Sequence, residues 1–194
     1  MVRSMMRFVF CLLTVGACAS EEPLPPPPDW CAATAPDETC YRAQRPVGDP
    51  HVQQALVVMH DFMDRHPPER LSWGWEDGVL VIAMTELHRL TQDPDLRAYL
   101  RAYLDHHVAT GYRIETSDDC PPVAVAAYLG GYEDVLQVFD AYIEHGARRT
   151  PEGALNHNGM LELIDATAWV DSLFMFGMPL MRQFEFAGRL QSLE

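Results

Sequence analysis

Ala168-Trp169-Val170-Asp171-Ser172-Leu173-Phe174-Met175-Phe176-Gly177-Met178-Pro179-Leu180 sets a single acid among bulky apolar side chains. Phe174, Met175, Phe176, Met178, Leu180 and Met181 cannot share one stripe of a helix. A helix from Trp169 to about Phe186 is therefore expected to be buried on several sides. A carboxylate in such company is paired, protonated or at work, because burying a bare charge is expensive. Apolar surroundings favour the uncharged carboxyl, which is the form a general acid needs. The plainer use of an early-helix aspartate is to stabilise the N-terminal turn through the helix dipole.

Outward from this stretch, the pattern is helical nearly throughout from Asp49. Asp49-Pro50 reads as an N-cap followed by proline at the first helical position. Val52, Leu56, Met59 and Met63 recur at helical spacing until Pro67-Pro68. A second helix is predicted from about Trp75 to Leu90, with Leu80, Ala83, Leu87 and Leu90 facing inward. Asp93-Pro94 repeats the start signal, and Leu96, Tyr99, Leu100, Tyr103 and Leu104 carry a third helix to Gly111. A fourth opens at Asp118-Asp119-Cys120-Pro121-Pro122 and stops at Gly130-Gly131. The fifth holds Val135, Leu136, Phe139, Tyr142 and Ile143 and closes at Gly146; a loop with Gly153, His157 and Gly159 precedes the sixth. No alternating strand pattern competes, so the class is all-α, built from three helical hairpins.

The chain has 194 residues, 48% hydrophobic, enough for one domain with a real core. Its net charge is −14 and it contains no lysine, all 14 basic residues being arginine. Nucleic acid is excluded as a partner, because nothing supplies a clustered basic surface. Residues 1–17 read as a signal: Arg3 and Arg7 precede a short apolar run from Phe8 to Ala17, too short to span a bilayer. Val15-Gly16-Ala17-Cys18 resembles a bacterial lipobox, which makes Cys18 the lipidated residue and the cell envelope the expected location. Glu21-Glu22-Pro23-Leu24-Pro25-Pro26-Pro27-Pro28 fits a proline-rich tether, so residues 18–48 read as tether and irregular segment and 49–194 as the domain. The lipid anchor is the only membrane contact expected. Of the five cysteines, Cys11 leaves with the signal, an oxidising envelope permits a Cys31–Cys40 disulfide, and Cys120 is left over.

His60-Asp61 invites comparison with metal-dependent HD phosphohydrolases, but His51, His66 and His88 do not complete a ligand set. The adjacent pair His106-His107 projects about 100° apart on a helix and cannot chelate as a pair. No metal and no cofactor are expected.

Trp73-Gly74-Trp75 with Gly78, then Thr91-Gln92-Asp93-Pro94-Asp95-Leu96, Asp118-Asp119 and the sixth-helix stretch occur in an order that resembles a known group. It is that of the unsaturated glucuronyl and rhamnogalacturonyl hydrolases, glycoside hydrolase families 88 and 105. The similarity runs from about Val52 to Gly188. It implies a ring of six helical hairpins around a central cleft, an (α/α)6 toroid, of which this chain supplies about three hairpins. It further implies an oligosaccharide substrate whose terminal uronic acid carries a C4=C5 double bond. In the family an aspartate protonates this vinyl ether and activates water, after which the ring opens and the linkage collapses, without metal.

On this match Asp171 takes the acid/base position and Asp119 the second catalytic aspartate, with Asp118 the alternative. An aspartate ahead of Pro121-Pro122 is also an ordinary N-cap, so one of the pair caps while the other faces the cleft. His157 falls where the family places substrate-contacting residues. Trp75 has two uses, packing at a helix start or stacking on sugar. The family's downstream histidine, tryptophan and arginine, which grip the uronate, match nothing before residue 194. The chain is thus expected to be truncated and inactive alone, with a second chain completing the ring. The alternative is a non-catalytic half-toroid that binds glycans or protein.

Overall fold

The computed structural model describes residues 48–157 and 169–188. The signal, the tether, Cys11, Cys18, Cys31, Cys40 and Gly159 lie outside them. Seven α-helices follow in order among the described residues: α1 Pro50–Arg65, α2 Trp75–Thr91, α3 Pro94–Thr110, α4 Pro121–Leu129, α5 Glu133–Ala141, α6 Ser172–Met175 and α7 Gly177–Ala187. Short 3-10 turns at Pro68–Arg70 and Ser117–Asp119 and a π-turn at Tyr142–Gly146 join them. The sole β feature there is an isolated bridge, Arg149 to Leu155, so the all-α expectation holds. None of these helices is long and apolar enough to cross a membrane.

The chain gathers into two compact units, one ending at Pro67 and including Ala83–Ala98, the other comprising Pro68–Ile82 and the residues from Tyr99 onward. In the first unit, turn chemistry sets the helix starts. Asp49 Oδ1 accepts from the His51 N–H at 2.8 Å, and Pro50 occupies a position that needs no donor. Asp93 caps α3 in the same way, taking the Asp95 and Leu96 N–H groups at 3.0 and 3.1 Å. Val52 and Met59 are buried on α1, while Leu56 and Met63 are only half-buried. The expected inner face of α2 needs correcting. Leu80, Ala83 and Leu90 are half-buried, and Val81, Ile82 and Met84 are deeper. A helix enclosed on most sides carries apolar residues all round, so periodicity no longer marks its inner face.

In the second unit α4 is the centre, with all nine of its residues buried. It ends where Gly130 (φ +66°) and Gly131 (φ +84°) take the left-handed backbone conformations that favour glycine. Tyr99, Leu100, Tyr103 and Leu104 of α3, and Val135, Leu136, Phe139, Tyr142 and Ile143 of α5 and its π-turn, are buried as their spacing predicts. α7 packs along α4.

The sixth predicted helix departs from expectation twice. It breaks at Phe176 into α6 and α7, because Pro179 has no N–H for the Met175 carbonyl and its ring crowds that carbonyl. It is also buried on one stripe only, through Ser172, Met175, Phe176, Pro179 and Gln183, while Trp169, Val170, Leu173, Met181 and Phe184 are exposed.

The approach of α2 to α4 depends on one missing side chain. A Cβ on Gly78 would lie 2.9 Å from the Pro121 Cβ and 3.0 Å from the Pro122 Cδ. Gly78→Ala is expected to lower stability by about 1–2 kcal/mol in urea denaturation, the overpacking outweighing alanine's better helix propensity. An unchanged midpoint would show that the two prolines yield freely.

Candidate active site

Three aromatic side chains, Tyr103 and His107 buried and Trp73 half-buried, set the loop ahead of α2. Tyr103 donates its hydroxyl to the Ser72 carbonyl at 3.1 Å, and His107 Nε2 bonds the Leu71 carbonyl at 3.0 Å. The Trp73 indole N–H donates to the Asp119 carbonyl at 3.0 Å, joining this loop to the 3-10 turn ahead of α4. Burial pulls the His107 imidazole below its ordinary value, so it stays neutral and donates from Nε2.

Asp118 and Asp119 part company at this turn. Asp119 Oδ2 accepts from the Glu115 N–H, the Thr116 N–H and the Thr116 hydroxyl at 2.9–3.0 Å, closing a capping box. Asp118 makes no such cap. Burial pushes its carboxyl above the usual carboxylate value; His157 and the Ser117 hydroxyl pull it back, and Asp119 and Asp171 push it up further. Both aspartates line an open hollow of about 370 Å³ with Trp75, Ser72, Glu76 and Arg113. A second hollow of about 490 Å³ shares Arg113 and Asp119 and adds Trp73, Tyr112, His107 and Gly111.

Asp171 is not buried among apolar side chains, as its sequence context suggests. Its side chain is 48% exposed, because the neighbouring Trp169, Val170 and Leu173 are themselves exposed. It is paired instead: its Oδ1 lies 3.2 Å from His157 Nδ1. The same nitrogen is 3.1 Å from the Ser172 Oγ, which also accepts the Trp169 N–H at 3.2 Å. Trp169 stacks on the His157 ring at 4.4 Å and 13°, and Ser117 donates to the His157 carbonyl. His157 is thereby held on both faces of its residue, buried to 6% exposure.

Trp75, Asp118 and Asp119 therefore share one hollow, and Asp118, His157 and Asp171 share one electrostatic neighbourhood. Ser117, Ser172, Trp169 and Arg113 carry no role in the sequence reading. For the two serines the signal was adjacency, since each candidate acid but Asp119 has a serine beside it: Ser117-Asp118 and Asp171-Ser172. In the first unit His60 pairs with Asp93 at 3.1 Å and not with Asp61, which binds Arg65. His60, Asp93 and Asp95 place ligand atoms within 4.8 Å of one another, the arrangement there that most resembles a metal-ligand set. One Asp93 oxygen is already spent on the α3 cap.

Comparison with known proteins places this arrangement. A crystal structure described as a possible member of the GH105 family, from Klebsiella pneumoniae subsp. pneumoniae MGH 78578, superposes with a TM-score of 0.53 at 21% identity. The likeness covers 63% of this chain and 34% of that one, and it shows a shared fold. This chain thus spans about a third of that structure's length. No curated protein matches. The family profile described as Glycosyl Hydrolase Family 88 matches residues 52–194, most of the chain and every site residue above. The chain belongs to Glycosyl Hydrolase Family 88.

Proposed function

We propose that this chain is a glycoside hydrolase of the unsaturated-uronyl type, acting on oligosaccharides whose end sugar carries a C4=C5 double bond. The supporting observation is that His157 and Asp171, paired with each other, act electrostatically on Asp118, which lines a hollow of about 370 Å³ together with Trp75. Protonating a vinyl ether at carbon leaves an oxygen-stabilised cation that water attacks, so the chemistry needs a proton donor, a base for water and no metal.

Asp171 fits the acid/base role. Its Oδ1 lies against His157, and its side chain is half-exposed, which leaves the carboxyl accessible. His157, covered by Trp169 and bonded through Nδ1, acts in this reading as a positioning residue for Asp171. Asp119 spends its Oδ2 on the cap whereas Asp118 makes none, which favours Asp118 as the second carboxyl. The Ser117 hydroxyl, which donates to the His157 carbonyl, also lies 3.3 Å from Asp118 Oδ1 and favours its charged form. Burial is the largest influence on Asp118 and favours the protonated form, which can donate to a sugar hydroxyl.

The lipobox-like segment supports anchoring through Cys18 at the bacterial envelope. The exposed stripe Trp169, Val170, Leu173, Met181 and Phe184 favours a second reading, in which another chain docks there and this one binds without catalysis.

The protein, alone or together with a second chain that completes the helical ring, is expected to bleach the ultraviolet absorbance of lyase-generated unsaturated oligouronides. Asp171→Asn is expected to cost at least about 100-fold in rate. Wild-type protein that never bleaches the signal in either arrangement overturns the hydrolase reading. Asp118→Asn is expected to be more stable than wild type at pH 7 and equal to it near pH 3. Because folding raises the Asp118 proton affinity, the folded state loses stability as pH climbs through the folded value, and asparagine removes that loss. Equal urea midpoints at both pH values would contradict a proton-retaining Asp118. Cys18→Ser is expected to move the protein from the membrane to the soluble fraction of expressing cells, and retention in the membrane would refute the anchor.

A further inference from the structure

The two hollows share a wall, and among the described residues that wall carries their one permanent cation. Arg113 lines both hollows, and its side chain is 81% exposed. Its ion partner, Glu115, stands 3.7 Å away, too long for a hydrogen bond. Glu76, Glu115, Asp118 and Asp119 line the first hollow around it, in a chain of net charge −14. An acidic ligand enters such surroundings only against repulsion unless a counter-charge is placed for it, and Arg113 is that charge. A neutral sugar has no need of it.

The second hollow adds a surface that suits a sugar ring. Tyr112 packs on Trp73, with ring centroids 4.6 Å apart and tilted by 32°, and Trp73 is stacked in turn with Tyr103 at 6.3 Å, so the pair forms a fixed aromatic ledge whose outer ring is Tyr112. Trp73 is fixed by its bond to the Asp119 carbonyl, so the ledge is built in place before any ligand arrives. Gly111, at φ +100°, turns the chain there, and a Cβ at that position would meet no atom within 4 Å, so the floor is open. His107 on the same wall is kept neutral by burial and adds no competing charge.

We propose that the Trp73–Tyr112 hollow is a subsite for the sugar next to the reacting one, that this neighbour is itself a uronate, and that Arg113 reads its carboxylate. The assignment rests on the unsaturated-uronyl hydrolase reading and narrows its substrate to oligosaccharides with a second acidic sugar. The guanidinium fork matches a carboxylate in two parallel hydrogen bonds, and the Trp73–Tyr112 ledge takes the apolar face of the ring.

Saturated trigalacturonate, which lacks the double bond, separates binding from chemistry. Titrated calorimetrically into the full-length protein, it is expected to bind, to bind about tenfold more weakly to Arg113→Gln, and to lose most affinity when its carboxyls are reduced to alcohols. Tyr112→Ala is expected to weaken both the acidic and the reduced ligand. In the wild type, the indole N–H resonance of Trp73 should shift on addition of trigalacturonate. Arg113 is an exposed side chain, and an unchanged melting temperature for Arg113→Gln would confirm that its fold is intact. Absence of trigalacturonate binding, equal affinity of Arg113→Gln, or equal affinity for the carboxyl-reduced ligand overturns the subsite. Failure of the hydrolase reading looks different: binding stays dependent on Arg113 while unsaturated oligouronides are never bleached.

Discussion

The Trp73 indole N–H bonded to the Asp119 carbonyl is the tie on which the site depends. It is a single part-buried hydrogen bond, worth about 1 kcal/mol net, yet it spans two loops far apart in sequence. With Tyr103 and His107 holding the preceding carbonyls, it sets Trp75 on one wall of the hollow and Asp118 on another. The same joint needs Gly78, since α2 meets Pro121 and Pro122 with no room for a methyl group. Packing and polar pairing thus act at one place, and the raised proton affinity of Asp118 is a product of both.

Much of the fold was legible because its signals are local. Asp49-Pro50, Asp93-Pro94, Gly111 and Gly130-Gly131 mark helix ends through capping and through φ values that few residues tolerate, and each does so in the structure. The buried faces of α3 and α5 followed from spacing because those helices have one polar side. α2 defeated the same logic, since a helix enclosed nearly all round has no period to read. The break at Phe176 was written in Pro179, but a proline interrupts a helix only when the preceding turn is already formed.

The site was legible in its members and less so in their roles. Asp171, Asp118, Asp119, His157 and Trp75 all stand out in sequence. Which aspartate caps and which has its carboxyl pushed up by burial is decided by the direction of the chain at Ser117–Asp119, a tertiary matter. The pairing of Asp171 with His157 joins two segments whose separation leaves no periodic trace. Arg113 was hidden for a different reason: a lone arginine in an acidic chain means little until both hollows are seen to meet at it.

The exposed rings and methyls around Asp171 have a consequence beyond their failure to bury it. Trp169, Val170 and Leu173 present a greasy collar with one wet carboxylate at its centre. Anything that seats on the collar, sugar or polypeptide, squeezes water from around that oxygen and leaves the His157 imidazole as its remaining solvation. Occupancy of the rim and the electrical surroundings of the Asp171 carboxylate are therefore one event.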